Sequence, residues 1–207
     1  MEKRDVKQAI AVLKESKELD RQYAGLVSEY SLQLIEIYKT ELMQSEYKEE
    51  LLSYVFSYMC TDITYALDLK AICNKAEWLG YRAQLLEKYK GSPCAYKLME
   101  SEGLYEEMLQ SISQEVKNSG WILRMDEYEK VLKSKFPEDV RDIYVSYVRQ
   151  AAGRTSSRNQ YRGLMDYLRK IKKYPDGKET AMEIARDWRA LYARRSAMMD
   201  ELRKAGF

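Results

Sequence analysis

Arginine is the side chain in this sequence best placed to do chemistry. Arg158, Arg162, Arg169 and Lys173 fall at i, i+4, i+11 and i+15, and at about 100° per residue that spacing keeps them in one narrow sector of a helix. A planar guanidinium matches phosphate and carboxylate oxygens. Such a row therefore tracks a nucleic-acid backbone or docks an acidic partner helix. Arg149 and Arg154 precede the row, and Arg186, Arg189, Arg194 and Arg195 follow it. Asp166, Glu183, Asp187 and Asp200 are interleaved with these cations, and the plainer use of the arginines is local pairing on a solvated face. The loop GRTSSRNQ, Gly153 to Gln160, sets two arginines beside three hydroxyls at a helix start. Free N–H groups attract an anion at such a start, while the commoner use is Thr155, Ser156 or Ser157 as a cap.

Other reactive groups are few. The 207 residues contain no histidine, which removes the usual near-neutral general base and the commonest metal ligand. Cys60, Cys73 and Cys94 are odd in number and widely spaced, so they read as free, buried packing residues in a reducing compartment. Glu49 with Glu50 and Glu106 with Glu107 are adjacent in sequence, and helix neighbours point about 100° apart, so neither pair converges. There is no P-loop, no dinucleotide glycine fingerprint and no nucleophile elbow. These readings predict a chain without catalytic role, cofactor or metal, with a helical enzyme using Tyr, Lys or Glu as the remaining catalytic alternative. Of the 18 tyrosines, Tyr144, Tyr147 and Tyr161 fall on inner stripes. Tyr23, Tyr30, Tyr38, Tyr54 and Tyr58 are candidates for a face that meets a partner.

These side chains must be positioned by helices. Apolar residues recur at helical spacing and period-two alternation is not sustained, so the fold expected is all-α. An apolar fraction of 45% with 33% charged residues is that of a globular chain. Val27, Tyr30, Leu34, Ile37 and Tyr38 form one stripe, within one long helix over 4–43 or a pair broken near Leu19 and Asp20. Leu52, Val55, Phe56, Met59 and Ile63 belong to two more helices over 46–78. From Tyr81 onward turn signals become regular: Gly91 then Ser92 and Pro93, Gly103, Asn118 to Gly120, Pro137, Gly153, and the YPDG string at 174–177. Hairpins then start near Leu104, Pro137 and Gly177, a spacing in the range of α-solenoid, tetratricopeptide-like repeats. The architecture expected is antiparallel helical hairpins in such an array, or an irregular helical bundle, divided into 1–80 and 81–207. Residues 137–207 hold 16 Lys or Arg against 10 Asp or Glu, so basic character belongs to the last third. No run is long enough to cross a bilayer, and MEKRDVKQ lacks the apolar core of a secretory leader.

The C-terminal strings are more specific. NQYRGLMDYLRKIKK (159–173), the YPDG turn and AMEIARDWRALYARRSAMMDELRKAGF (181–207) resemble the terminal helical segment of bacterial SWIM zinc-finger proteins. KFPEDVRDIYVSYVRQAAGRTSSRNQYR (135–162) is similar to the same region, and the resemblance extends over about 81–207. It implies a helical extension beside a zinc module in a longer polypeptide, in a family that mediates nucleic-acid or protein contacts. That module needs C-x-C followed by C-x-H, and neither stands in this sequence, so no zinc ligand carries over. The function expected is a non-catalytic, cytoplasmic interaction module with a protein partner. The alternative is nucleic-acid binding through the basic C-terminal face.

Overall fold

The computed structural model describes residues 3–59 and 62–207, and every regular element among them is a helix. In chain order these are α1 (Lys3–Leu19), α2 (Ala24–Thr40), α3 (Gln44–Tyr58), α4 (Thr64–Ile72), α5 (Lys75–Lys88) and α6 (Pro93–Glu102). They are followed by α7 (Tyr105–Ser119), α8 (Leu123–Lys135), α9 (Pro137–Arg154), α10 (Arg158–Ile171), α11 (Gly177–Leu191) and α12 (Ser196–Lys204). The stretch over 4–43 is thus a pair broken at Asp20. Among the described residues no helix is long and apolar enough to cross a membrane. Cys60 lies outside the described residues, while Cys94 is a buried free thiol and Cys73 a half-buried one.

The chain forms two compact units, Met1–Gly103 and Leu104–Phe207. The sequence division at residue 80 falls inside α5, where Gly80 is an interior helical residue with open space around it. A left-handed Gly103 (φ 69°) closes α6 at the end of the first unit.

Local chemistry explains most helix ends. Asn74 and Glu77 form a capping box on α5, and Ser92 with Pro93 starts α6. At the end of α12 the N–H groups of Phe207 and Gly206 bond back to the carbonyls of Leu202 and Arg203, with Gly206 left-handed (φ 78°). The end of α2 has the same arrangement, Met43 to Tyr38 and Leu42 to Lys39. Here the left-handed position is taken by Leu42 (φ 57°), at a cost of about 1 kcal/mol for a side chain with a Cβ.

In the first unit α1 packs on α2, α2 on α3, α3 on α4 and α5 on α6. Leu34, Tyr38, Leu51, Val55, Leu69, Trp78, Leu85 and Leu98 build its core. In the second unit α7 packs on α8 and α9, α9 also on α8 and α10, and α10 on α11 and α12. Met108, Ile112, Val140, Tyr144, Val148, Leu164, Leu168, Ile184 and Trp188 are its buried residues.

Ion pairs follow a two-helix period. Lys17 of α1 reaches Glu50 of α3 (2.5 Å), Lys39 of α2 reaches Asp68 of α4 (3.1 Å), Lys48 of α3 reaches Glu77 of α5 (2.7 Å), and Lys70 of α4 reaches Glu102 of α6 (2.7 Å). In the second unit Arg149 of α9 reaches Glu183 and Asp187 of α11 (3.0 and 2.9 Å), and Arg158 of α10 reaches Asp200 of α12 (2.9 Å). The cation stands on the earlier helix in each case. Two pairs depart from this order: Arg82 of α5 reaches the adjacent α6 at Glu102 (3.1 Å), and Lys170 of α10 reaches back to α8.

Candidate interaction surface

The basic strip is largely consumed inside the second unit. The side chain of Glu201 on α12 is 5% exposed, and it receives Arg158 at 3.3 Å and Arg162 at 3.4 Å. A buried carboxylate needs such partners, since desolvation of an unpaired charge costs several kcal/mol, on the order given for buried ion pairs. Arg169 turns to Asp166 one turn earlier (2.8 Å). The pairs that the interleaved carboxylates suggest, with Asp166, Glu183, Asp187 and Asp200, all form. Arg195 donates to the carbonyls of Ala152 (2.7 Å) and Thr155 (3.1 Å) at the end of α9 and lies over the Tyr192 ring at 4.3 Å. Arg189 donates to the Phe207 carbonyl. Among the described residues Arg154, Lys173, Arg186 and Arg194 make no ion pair. Lys173 also leaves the helical row, because α10 ends at Ile171 and its N–H turns tightly to the Lys170 carbonyl.

The hydroxyl-rich loop caps a helix. Ser157 Oγ accepts from the Gln160 N–H, while Gln160 Oε1 accepts from the N–H groups of Ser157 (3.1 Å) and Ser156 (3.2 Å). The N–H groups of Ser156, Ser157 and Gln160 at this helix start are thereby occupied.

A second polar cluster joins α8, α9 and α10. Tyr144 and Tyr167 donate to Asp126 (2.9 and 2.5 Å), Tyr174 donates to Glu129 (2.5 Å), and Lys170 Nζ lies 2.6 Å from Asp126 and 2.9 Å from Glu129. Burial first, then the neighbouring carboxylates, pushes the phenols of Tyr144, Tyr167 and Tyr174 far above their ordinary range. Burial works against the charge on Lys170, but its bonds to Asp126 and Glu129 outweigh it and raise the ammonium. Glu129 is likewise held below its usual value, burial being outweighed by the Tyr174 and Lys170 hydrogen bonds. Each shifted group moves away from neutrality, and the hydrogen bonds and ion pairs of the cluster fasten three helices together. Sequence reading found Tyr144 but not its partners, because Asp126 lies 41 residues from Tyr167 and 44 from Lys170.

The tyrosines suggested for a partner face are mostly packed. Tyr38 is buried, Tyr30 donates to Asp20 (2.8 Å), and Tyr54 makes ring contacts with Tyr58 and Tyr65. Only Tyr23 of that set is openly exposed, at 55%.

A groove of about 430 Å³ stays open along α7 and α9. Leu109, Val116 and Ile143 supply its apolar surface; Gln110, Ser113, Gln114 and Ser146 supply neutral polar groups; and Lys117, Asp139 and Asp142 supply charge of both signs. Among the described residues Gln110, Ser113 and Ser146 spend no side-chain hydrogen bond within the fold. A separate shallow depression lies on α11, where Lys178, Met182 and Arg186 flank Glu183, the partner of Arg149. Serine and glutamine spaced along two helices carry no motif, and the groove was therefore invisible in the sequence.

The fold and this surface define an all-α protein of packed helical pairs with an exposed mixed polar groove. No protein-family model, curated protein or solved structure matches the chain.

Proposed function

We propose that the chain is a non-catalytic helical interaction module whose groove between α7 and α9 seats an extended peptide of a protein partner. The carrying observation is the groove itself, an apolar floor lined by unspent amide and hydroxyl groups that can bond a partner's main chain. Charges of both signs at its edge fix the register of a bound segment more than they add affinity. The free thiols of Cys73 and Cys94 support a cytoplasmic setting. We further propose, on the resemblance of residues 81–207 to the helical part of SWIM zinc-finger proteins, that the chain works inside a larger protein or complex.

The test is selection of displayed random peptides against the full chain, followed by binding to Ser113→Arg and Ser146→Arg, which fill the groove. Loss of about tenfold or more is expected in both variants. A selection in which no class of peptide loses binding to both variants would overturn the reading. The second reading, nucleic-acid contact, draws on Arg154, Lys173, Arg186 and Arg194. The ion pairs of Arg149, Arg158, Arg162 and Arg169 weigh against it, since these guanidiniums already serve the fold and two of them hold the buried Glu201.

A further inference from the structure

We propose that the turn between α2 and α3 is a docking pocket for an acidic peptide segment of another protein carrying one large apolar anchor. A cavity of about 590 Å³ opens there, lined by Tyr38, Lys39, Leu42, Tyr47, Lys48 and Ile72 among others. That volume falls in the range of built ligand sites. Its walls are the buried rings of Tyr38 and Tyr47, and its apolar rim is Leu42, 81% exposed, with Ile72, 42% exposed.

Leu42 is the informative residue. It occupies the left-handed position that Gly206 holds in the matching turn after α12. The turn's bonds are all between backbone groups, so the leucine side chain adds nothing to them. It also gains nothing from burial, because it stands in solvent. A bulky side chain in a glycine position, at the lip of an apolar cavity, gains free energy only when something covers it.

The lining charges say what does. Lys39 and Lys48 line the cavity and no carboxylate does. Asp68 holds the Lys39 ammonium at 3.1 Å and Glu77 holds that of Lys48 at 2.7 Å. Each ammonium has three N–H donors, so an incoming carboxylate can share it. An apolar anchor covering Leu42 and Ile72, flanked by Asp or Glu, meets both demands. The α7–α9 groove, edged by charges of both signs, makes no such demand.

The test selects displayed random linear peptides against the full chain and measures binding to three variants. Expected are peptides joining a large apolar residue to Asp or Glu. They bind Leu42→Gly about tenfold or more weakly, although that variant melts at a higher temperature because the strain is gone. They also bind Lys39→Gln several-fold more weakly and with less salt dependence, and Ser146→Arg without change. The proposal is overturned if selection yields no acidic apolar peptides, if those found bind Leu42→Gly undiminished, or if they are lost from Ser146→Arg instead. Sedimentation showing a dimer that Leu42→Gly dissolves would assign the pocket to a second copy and also overturn it.

Discussion

Gly177 shows how far one residue type can be fixed by its surroundings. A Cβ there would stand 1.9 Å from the Ile171 carbonyl oxygen, backbone that cannot swing aside. Gly177→Ala should therefore cost at least about 3 kcal/mol in denaturant unfolding, the upper range for overpacking. Gly163, interior to α10, has nothing within 4 Å of such a Cβ, and Gly163→Ala should stabilise by about 1 kcal/mol through helix propensity. Equal effects at the two positions would refute this reading of the turn before α11. Asp200 makes a residue-scale statement about pH. Lys204 and Arg203, with Arg158, hold its carboxyl down to about 2. Its folded value lies below its unfolded one, so its stabilising contribution is complete above the ordinary aspartate range, about 4, and is lost as pH falls toward 2. The melting temperatures of the original chain and Asp200→Asn should converge across that window. A gap that persists at its acid end would refute the assignment.

At the scale of elements, the helices were legible and their lateral partners were not. The caps at Ser92, Ser157 and Gly103, the proline at the start of α9 and the apolar stripes are local, and they place nearly every helix. The ion pairs that join helices two apart depend on which faces meet, which no local pattern states. The basic row on α10 illustrates this. The spacing of Arg158 and Arg162 was readable, while their carboxylate, Glu201, lies 43 and 39 residues away on α12. The Tyr–Asp–Lys cluster across α8, α9 and α10 has a consequence above neutrality. Its phenols titrate higher in the folded chain than when unfolded, so the stability they confer is present below the ordinary phenol value, about 10, and declines as pH rises past it. Spectrophotometric titration should show several tyrosines ionising only with unfolding of the second unit. The triple variant Tyr144→Phe, Tyr167→Phe, Tyr174→Phe should flatten that alkaline decline. Ionisation of all tyrosines in one step without unfolding would contradict the cluster's geometry.

For the molecule as a whole, the question is whether the surplus of cations in residues 137–207 is a binding face or part of the frame. The geometry answers for the frame at Arg149, Arg158, Arg162 and Arg169. The double variant Arg158→Gln, Arg162→Gln should lose about 2 kcal/mol of stability, because Glu201 would stay buried with only Lys204, at 3.8 Å, to balance it, and the half-exposed arginines reduce the effect. Salt titration with single- and double-stranded DNA should show little affinity to lose. An unchanged melting temperature with a steep salt-dependent DNA affinity that the variant lacks would restore the nucleic-acid reading.

The contact surface is tested most directly by amide hydrogen exchange of the full chain with and without a displayed peptide whose binding Ser146→Arg weakens. The account predicts that bound peptide slows exchange along α7 and α9, centred on Leu109 to Lys117 and Asp139 to Ser146, with α10 unaffected. Protection confined to α10 and the turn carrying Lys173, with α7 and α9 unaffected, would contradict it.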